Sequence, residues 1–216
     1  METQGRERTA TCRRRALTVF GTGVLLAIMM LFASPVSSAQ STPDCWGRAP
    51  TLIGTEGNDV LVGTGRSDVI VGLGGDDVIL GMAGQDFLCG GVGTDRIDGG
   101  PGEDFIDGAD GSDTLLGGDG NDLIYGGDGD DRIEAGLGND PSRPGEAIHG
   151  GPGNDYIDGG DGSDDLFGDE GDDTVLGGDG TDYIDGGPGN DRIDAGPGND
   201  PGGGGRSVHG GPGNDV

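Results

Sequence analysis

Gly90-Gly91-Val92-Gly93-Thr94-Asp95-Arg96-Ile97-Asp98 and Gly117-Gly118-Asp119-Gly120-Asn121-Asp122-Leu123-Ile124-Tyr125 are two copies of the nine-residue pattern that decides the fold. Glycine stands first and fourth, aspartate sixth and an aliphatic residue eighth. The six leading residues turn sharply, because glycine enters positive φ at little steric cost. The last three suffice for one short strand, with the aliphatic side chain inward and its two neighbours outward. Two successive units then complete a coil. Two thin parallel sheets face each other over a ladder that begins Leu61, Ile70, Ile79, Leu88, Ile97 and Ile106. The expectation is an all-β fold, a parallel β-roll (β-solenoid) of stacked nonapeptide half-turns. It would have roughly 8.5 coils and a length of about 40 Å at strand spacing.

The pattern runs outward in both directions, from Gly54 to Val216. Aspartate fills the sixth position at Asp59, Asp68, Asp77, Asp86, Asp95, Asp104, Asp113, Asp122, Asp131, Asp140, Asp155, Asp164, Asp173, Asp182, Asp191, Asp200 and Asp215. Glycine holds the fourth position in every unit but the second, where Arg66 stands. With 53 Gly among 216 residues and 4% aromatics, an ordinary helical domain is excluded and a thick core is out of reach. Composition alone leaves disorder, collagen or a solenoid open, and the fixed period selects the solenoid.

Residues 1–39 read differently. Arg13, Arg14 and Arg15 precede an apolar stretch from Ala16 to Phe32, and Val36-Ser37-Ser38-Ala39 offers small residues for a cut after Ala39. This is the pattern of a secretory signal peptide, placing the mature chain outside the cell. A membrane anchor is the alternative, which the short stretch and the cleavage site disfavour. Residues 1–39 hold five Arg and two Glu, so the mature chain keeps 38 acidic against seven basic side chains, a net charge of −31. Such a body repels nucleic acid and anionic membranes, and no membrane insertion of the mature chain is expected. Cations are its natural partners; the sequence names no protein partner.

The repeat resembles the RTX (repeats-in-toxin, hemolysin-type) family, whose unit is G-G-x-G-x-D-x-U-x. The resemblance covers residues 54–216. It implies that the glycine-rich turns of stacked coils hold multiple Ca²⁺ ions, ligated by sixth-position carboxylates and backbone carbonyls. Carried over residue by residue, the ligands are the seventeen aspartates named above. The need for metal also has a physical argument of its own. Two columns of carboxylates a coil apart oppose compaction, and one aliphatic residue per nine is too thin a core to overcome them. Divalent cations between them reverse the sign, so the chain should fold when calcium binds. Pairing each turn with the next on its edge allows at most fifteen sites, and those touching Arg66 should be weakest. Extracellular calcium modules bind at about 10⁻⁴ to 10⁻³ M, which sets the expected affinity.

Residues 40–53 read as an N-terminal cap, in which Thr51-Leu52-Ile53 continues the strand phase after a turn, Cys45 to Pro50, that lacks the aspartate. The outward positions of the first four units are apolar: Val60, Val62, Val69, Val71, Val78, Leu80, Phe87 and Cys89. Cover by the cap, with Trp46, is favoured over cover by a partner. Cys45 and Cys89 could then be bridged, although an unbroken solenoid puts them about two coils apart, so the cap must fold over. Inserts at 141–146 and 201–206 interrupt the array in the same way, each followed by an aliphatic residue and a histidine, His149 and His209. The two histidines should share one outward face three coils apart, too far to share an ion and best read as two solvated copies of one duplicated loop.

Catalytic motifs are missing. There is no Lys for a P-loop, no G-x-S-x-G elbow, and no helix after the glycines for a dinucleotide site. The sequence thus points to a non-enzymatic extracellular calcium-binding protein, a scaffold or surface element. The alternative is a calcium-dependent module of a larger secreted RTX enzyme, toxin or adhesin, which the stop at Val216, in mid-unit and without a closing strand, favours.

Overall fold

The computed structural model describes residues 44–140, 147–198 and 208–216. The expected signal peptide at 1–39, the start of the expected cap, both inserts and Asp200 lie outside the described residues. All regular structure among the described residues is β, and no described helix is long and apolar enough to cross a membrane.

Two parallel sheets share the coils. One runs through Leu52–Ile53, Val69–Gly74, Phe87–Val92, Phe105–Asp110, Leu123–Asp128, Ile148–Pro152, Asp165–Glu170, Tyr183–Asp185 and Val208–His209. The other runs through Val60–Val62, Val78–Leu80, Arg96–Gly102, Thr114–Gly120, Arg132–Leu137, Tyr156–Gly162, Thr174–Leu176 and Arg192–Asp194. Asp179–Gly180 pairs laterally with the Tyr156–Gly162 strand. Each strand pairs with the strand one coil away, so Val60, Leu61 and Val62 face Val78, Ile79 and Leu80. This is the parallel β-roll anticipated from the nine-residue period.

The eighth-position ladder forms the core. Ile70, Ile79, Leu88, Ile97, Ile106, Leu115, Ile124, Ile133, Ile148, Ile157, Leu166, Val175 and Ile184 are sealed from solvent, while Leu52, Ile193 and Val208 pack at the two ends less completely. Burying one such side chain is worth roughly 1.5–3 kcal/mol, so the roll is held by many equal, small contributions.

Several strands are longer than the three residues expected. Arg96–Gly102 pairs with Thr114–Gly120 through Gly100↔Gly118 and Pro101↔Asp119, so pairing continues into the glycine-rich half of the unit. The second position carries the bend within this run. Its φ is +117° in Gly91 and +95° in Gly100, and Leu73, Met82, Ala109 and Asp169 adopt the same left-handed region. Side chains with a β-carbon enter that region at a cost, so stacking of the neighbouring coils must hold these four in place.

The N-terminal segment departs from the solenoid phase. Cys45 and Arg48 form a two-residue hairpin turn, with Trp46 at φ 57° and Gly47 at φ 72°. The turn folds onto the outward face of the first sheet, where Cys45, Val71 and Phe87 form a second small core with Trp46, Leu73, Cys89 and Phe105. Cys45 and Cys89 are joined by a disulfide, with Cα atoms 5.9 Å apart. The expectation that the cap covers the apolar outward positions therefore holds for one sheet only. On the second sheet Val60 is 71% exposed and Val62 49%.

His149 also differs from expectation. It is half-buried, stacked between Tyr125 and Phe167 at 5.2 and 5.0 Å, and its Nδ1 lies 2.7 Å from Oδ2 of Asp169. It is a member of an outward aromatic row, not a solvated loop residue. His209 lies in the same ninth-position column and is exposed.

Candidate metal-binding turns

The turn is built by three backbone relays. The sixth-position N–H of each coil donates to the Oδ1 of the aspartate one coil further on: Asp77 to Asp95, Asp95 to Asp113 and Asp113 to Asp131, each at 2.7 Å. The opposite edge repeats this through Asp86, Asp104 and Asp122 at 2.8 Å. The seventh-position N–H returns to the sixth-position carbonyl of the preceding coil, as in Arg96 to Asp77. A fifth-position ladder adds side chains. The N–H of Asp76 donates to Oδ1 of Asn58, that of Asn154 to Oδ1 of Asp130, and that of Asn190 to Oδ1 of Asp172. These relays fix each carboxylate in one orientation.

From Asp77 onward that orientation leaves one carboxylate oxygen without a hydrogen-bond donor in most turns. Asp77, Asp86, Asp95, Asp104, Asp113, Asp122, Asp131, Asp140, Asp155, Asp164, Asp173 and Asp191 are all buried, and Oδ2 of each meets no protein donor. The oxygen faces a small space beside the first-position glycine. A β-carbon on Gly72 would stand 2.3 Å from Oδ2 of Asp77 and 2.4 Å from the carbonyl oxygen of Gly90. On the other edge a β-carbon on Gly99 would stand 2.6 Å from Oδ2 of Asp104 and 2.7 Å from the Gly117 carbonyl. Glycine keeps this cradle open, and a carboxylate and a carbonyl oxygen both look into it.

Burial sets the electrostatics. It pushes Asp104, Asp113, Asp131 and Asp155 up to about 7, and Asp122 and Asp164 up to about 8, with the backbone N–H bond pulling the other way and neighbouring carboxylates adding a further rise. Repulsion between coils is the cost expected first from the aspartate columns. In the structure the larger cost is the loss of water around each carboxylate, and repulsion comes second.

Sixteen of the seventeen candidate aspartates fall within the described residues, on the two turn edges as the period requires. They are not equivalent. Asp215 is half-buried at the C-terminal end, with Oδ1 3.1 Å from the Asp191 N–H. Asp59 and Asp68, in the first coil, have partners that the others lack. The Thr55 N–H and Oγ1 lie 2.6 and 2.8 Å from Oδ2 of Asp59. The Thr64 N–H and Oγ1 lie 2.7 and 2.8 Å from Oδ2 of Asp68, whose Oδ1 accepts from Thr51 at 3.2 Å. Burial works to raise Asp68, but the Thr64 and Thr51 bonds hold it below the ordinary carboxylate value. Reading the sequence for aspartates alone misses these threonines, although their signal is plain: threonine fills the second position only in the first two units.

Among the described residues no three His, Cys, Asp or Glu side chains gather into a metal cage. An ion at the turns must therefore draw on main-chain oxygen as well as carboxylate. An all-oxygen donor set of carboxylates and main-chain carbonyls suits a hard cation that accepts six to eight oxygens.

Fold and turns together define a nonapeptide-repeat β-roll with inward-facing acidic turns. The family model for the RTX calcium-binding nonapeptide repeat (4 copies) matches residues 53–88, 89–124, 107–140, 145–175 and 167–200, and the chain belongs to that family of calcium-binding repeat proteins. No curated protein matches it.

Proposed function

We propose that the mature chain is an extracellular, non-enzymatic protein in which multiple calcium ions complete the turns and thereby order the roll, giving a scaffold or surface element. The observation that carries this reading is the buried column of carboxylate oxygens without protein partners. An unpaired buried carboxylate is costly, and repeated along two edges it weighs against the metal-free roll. Sixth-position aspartates and first-position carbonyls would hold the ions. Calcium would supply charge neutralisation and coordination where the protein supplies no donor, and binding energy becomes folding energy. The leader-like residues 1–39 support export, and a disulfide fits an oxidising compartment. The sequence carries neither a P-loop nor a G-x-S-x-G elbow, which supports a non-enzymatic role. Far-UV circular dichroism of residues 40–216, titrated with calcium and then with chelator, tests the reading. A β signal should rise with calcium and fall on chelation, and a signal indifferent to both would refute it.

A further inference from the structure

Whether a sixth-position carboxylate calls for a metal depends on what else meets its Oδ2. In the middle coils nothing in the protein does. In the first coil that oxygen is already bonded twice, by the amide and hydroxyl of Thr55 at Asp59 and of Thr64 at Asp68. The backbone cause is visible at the second position. From Leu73 to Gly211 this residue has positive φ, whereas Thr55 and Thr64 do not. A β-branched residue resists the left-handed region, so the local chain takes the other course and aims its N–H at the carboxylate. A cation approaching Oδ2 there would meet the hydrogens of two donors. Two further supports independent of the turns tie the cap across the first coil to the second: the Cys45–Cys89 bridge and the small core of Cys45, Val71 and Phe87.

We infer that Thr55 and Thr64 stand in for calcium at Asp59 and Asp68, so that the first coil binds no ion and stays formed when calcium is withdrawn. It then serves as the metal-independent starter on which later coils stack, since a parallel solenoid grows by adding a strand to an existing edge. The inference rests on the reading that the later turns take calcium.

The test counts calcium ions by equilibrium dialysis on residues 40–216, for the wild type and two paired variants. D59N/D68N should bind as many ions as the wild type, and D113N/D122N at least one fewer. A first-coil pair that lowers the count as much as the middle pair overturns the inference. Should either variant fail to fold, hydrogen exchange of the wild type in excess chelator decides. The amides of Thr55 and Thr64, bonded to the Asp59 and Asp68 carboxylates of their own turns, should exchange at least tenfold more slowly than those of Gly111 and Gly129, bonded between middle coils. Equal exchange in the two sets overturns it. A wild type that binds no calcium fails one step earlier, because its count is zero before any substitution.

Discussion

Asp68 and Asp122 hold the same position of the same nine-residue unit and live in opposite surroundings. Asp68 is half-buried, with both oxygens bonded and its acidity strengthened; Asp122 is sealed, bonded through one oxygen and pushed up to about 8. Two threonines make the difference: Thr64, at the second position of the turn, bonds one oxygen and Thr51, in the segment before it, bonds the other. A repeat can therefore be uniform in its period and divided in its chemistry: the first coil satisfies its carboxylates from within, and the middle coils bury a carboxylate oxygen that meets no protein donor.

Chelation should break the comparison most severely. At pH 7.5, removal of calcium should abolish most of the β signal, leaving a remnant that maps by hydrogen exchange to the first coil. Acid should restore much of what chelation takes away. The buried aspartates have folded-state values near 6 to 8 against about 3.9 in an unfolded chain. A raised folded value gives stability that is whole below the unfolded value and lost as pH climbs through the folded one. In chelator the β signal should thus be fullest below about pH 4 and fall away as pH climbs from there to about 8. A chelated chain whose order improves with rising pH would contradict this.

Single substitutions sharpen the contrast. Ile124→Ala, in the sealed middle of the ladder, should cost about 2–5 kcal/mol and raise the calcium midpoint, as read by dichroism. Leu61→Ala, at the less complete N-terminal end, should fall at the bottom of that range. Reduction of the Cys45–Cys89 bridge, which closes a loop spanning 44 residues, should cost about 4 kcal/mol on chain-entropy grounds. Its effect should fall on the first coil, so the remnant left in chelator should disappear with it. The smallest effect runs the other way. Met82 is half-exposed at φ 84°, and Met82→Gly should stabilise the roll by about 1 kcal/mol or less at fixed calcium, read as a higher thermal midpoint.

What the sequence showed and hid follows from which forces act in register. The Ile, Leu and Val ladder and the aspartate columns were legible, because a parallel solenoid repeats each environment at a constant interval. The extension of strands to the third position was hidden, since glycine and proline carry no strand signal and only pairing with the next coil holds them extended. The course of the segment before the first unit was hidden. Its fold depends on Trp46 taking a left-handed backbone that propensity argues against, and on aromatic packing across to Phe105 and Tyr125. His149 was misjudged through its place after an insert. Its column neighbours Tyr125 and Phe167 occupy the ninth position one coil to either side, which spacing could have revealed.

The relay across the first insert has a practical consequence. Between uninterrupted coils the N–H of Asp113 reaches Oδ1 of Asp131 over 18 residues at 2.7 Å; across the insert the N–H of Asp131 reaches Oδ1 of Asp155 over 24 residues at 2.8 Å. Six added residues leave the ladder unperturbed. The junction after a sixth-position aspartate is thus a permissive splice point, where foreign peptides could be displayed from the roll at chosen intervals.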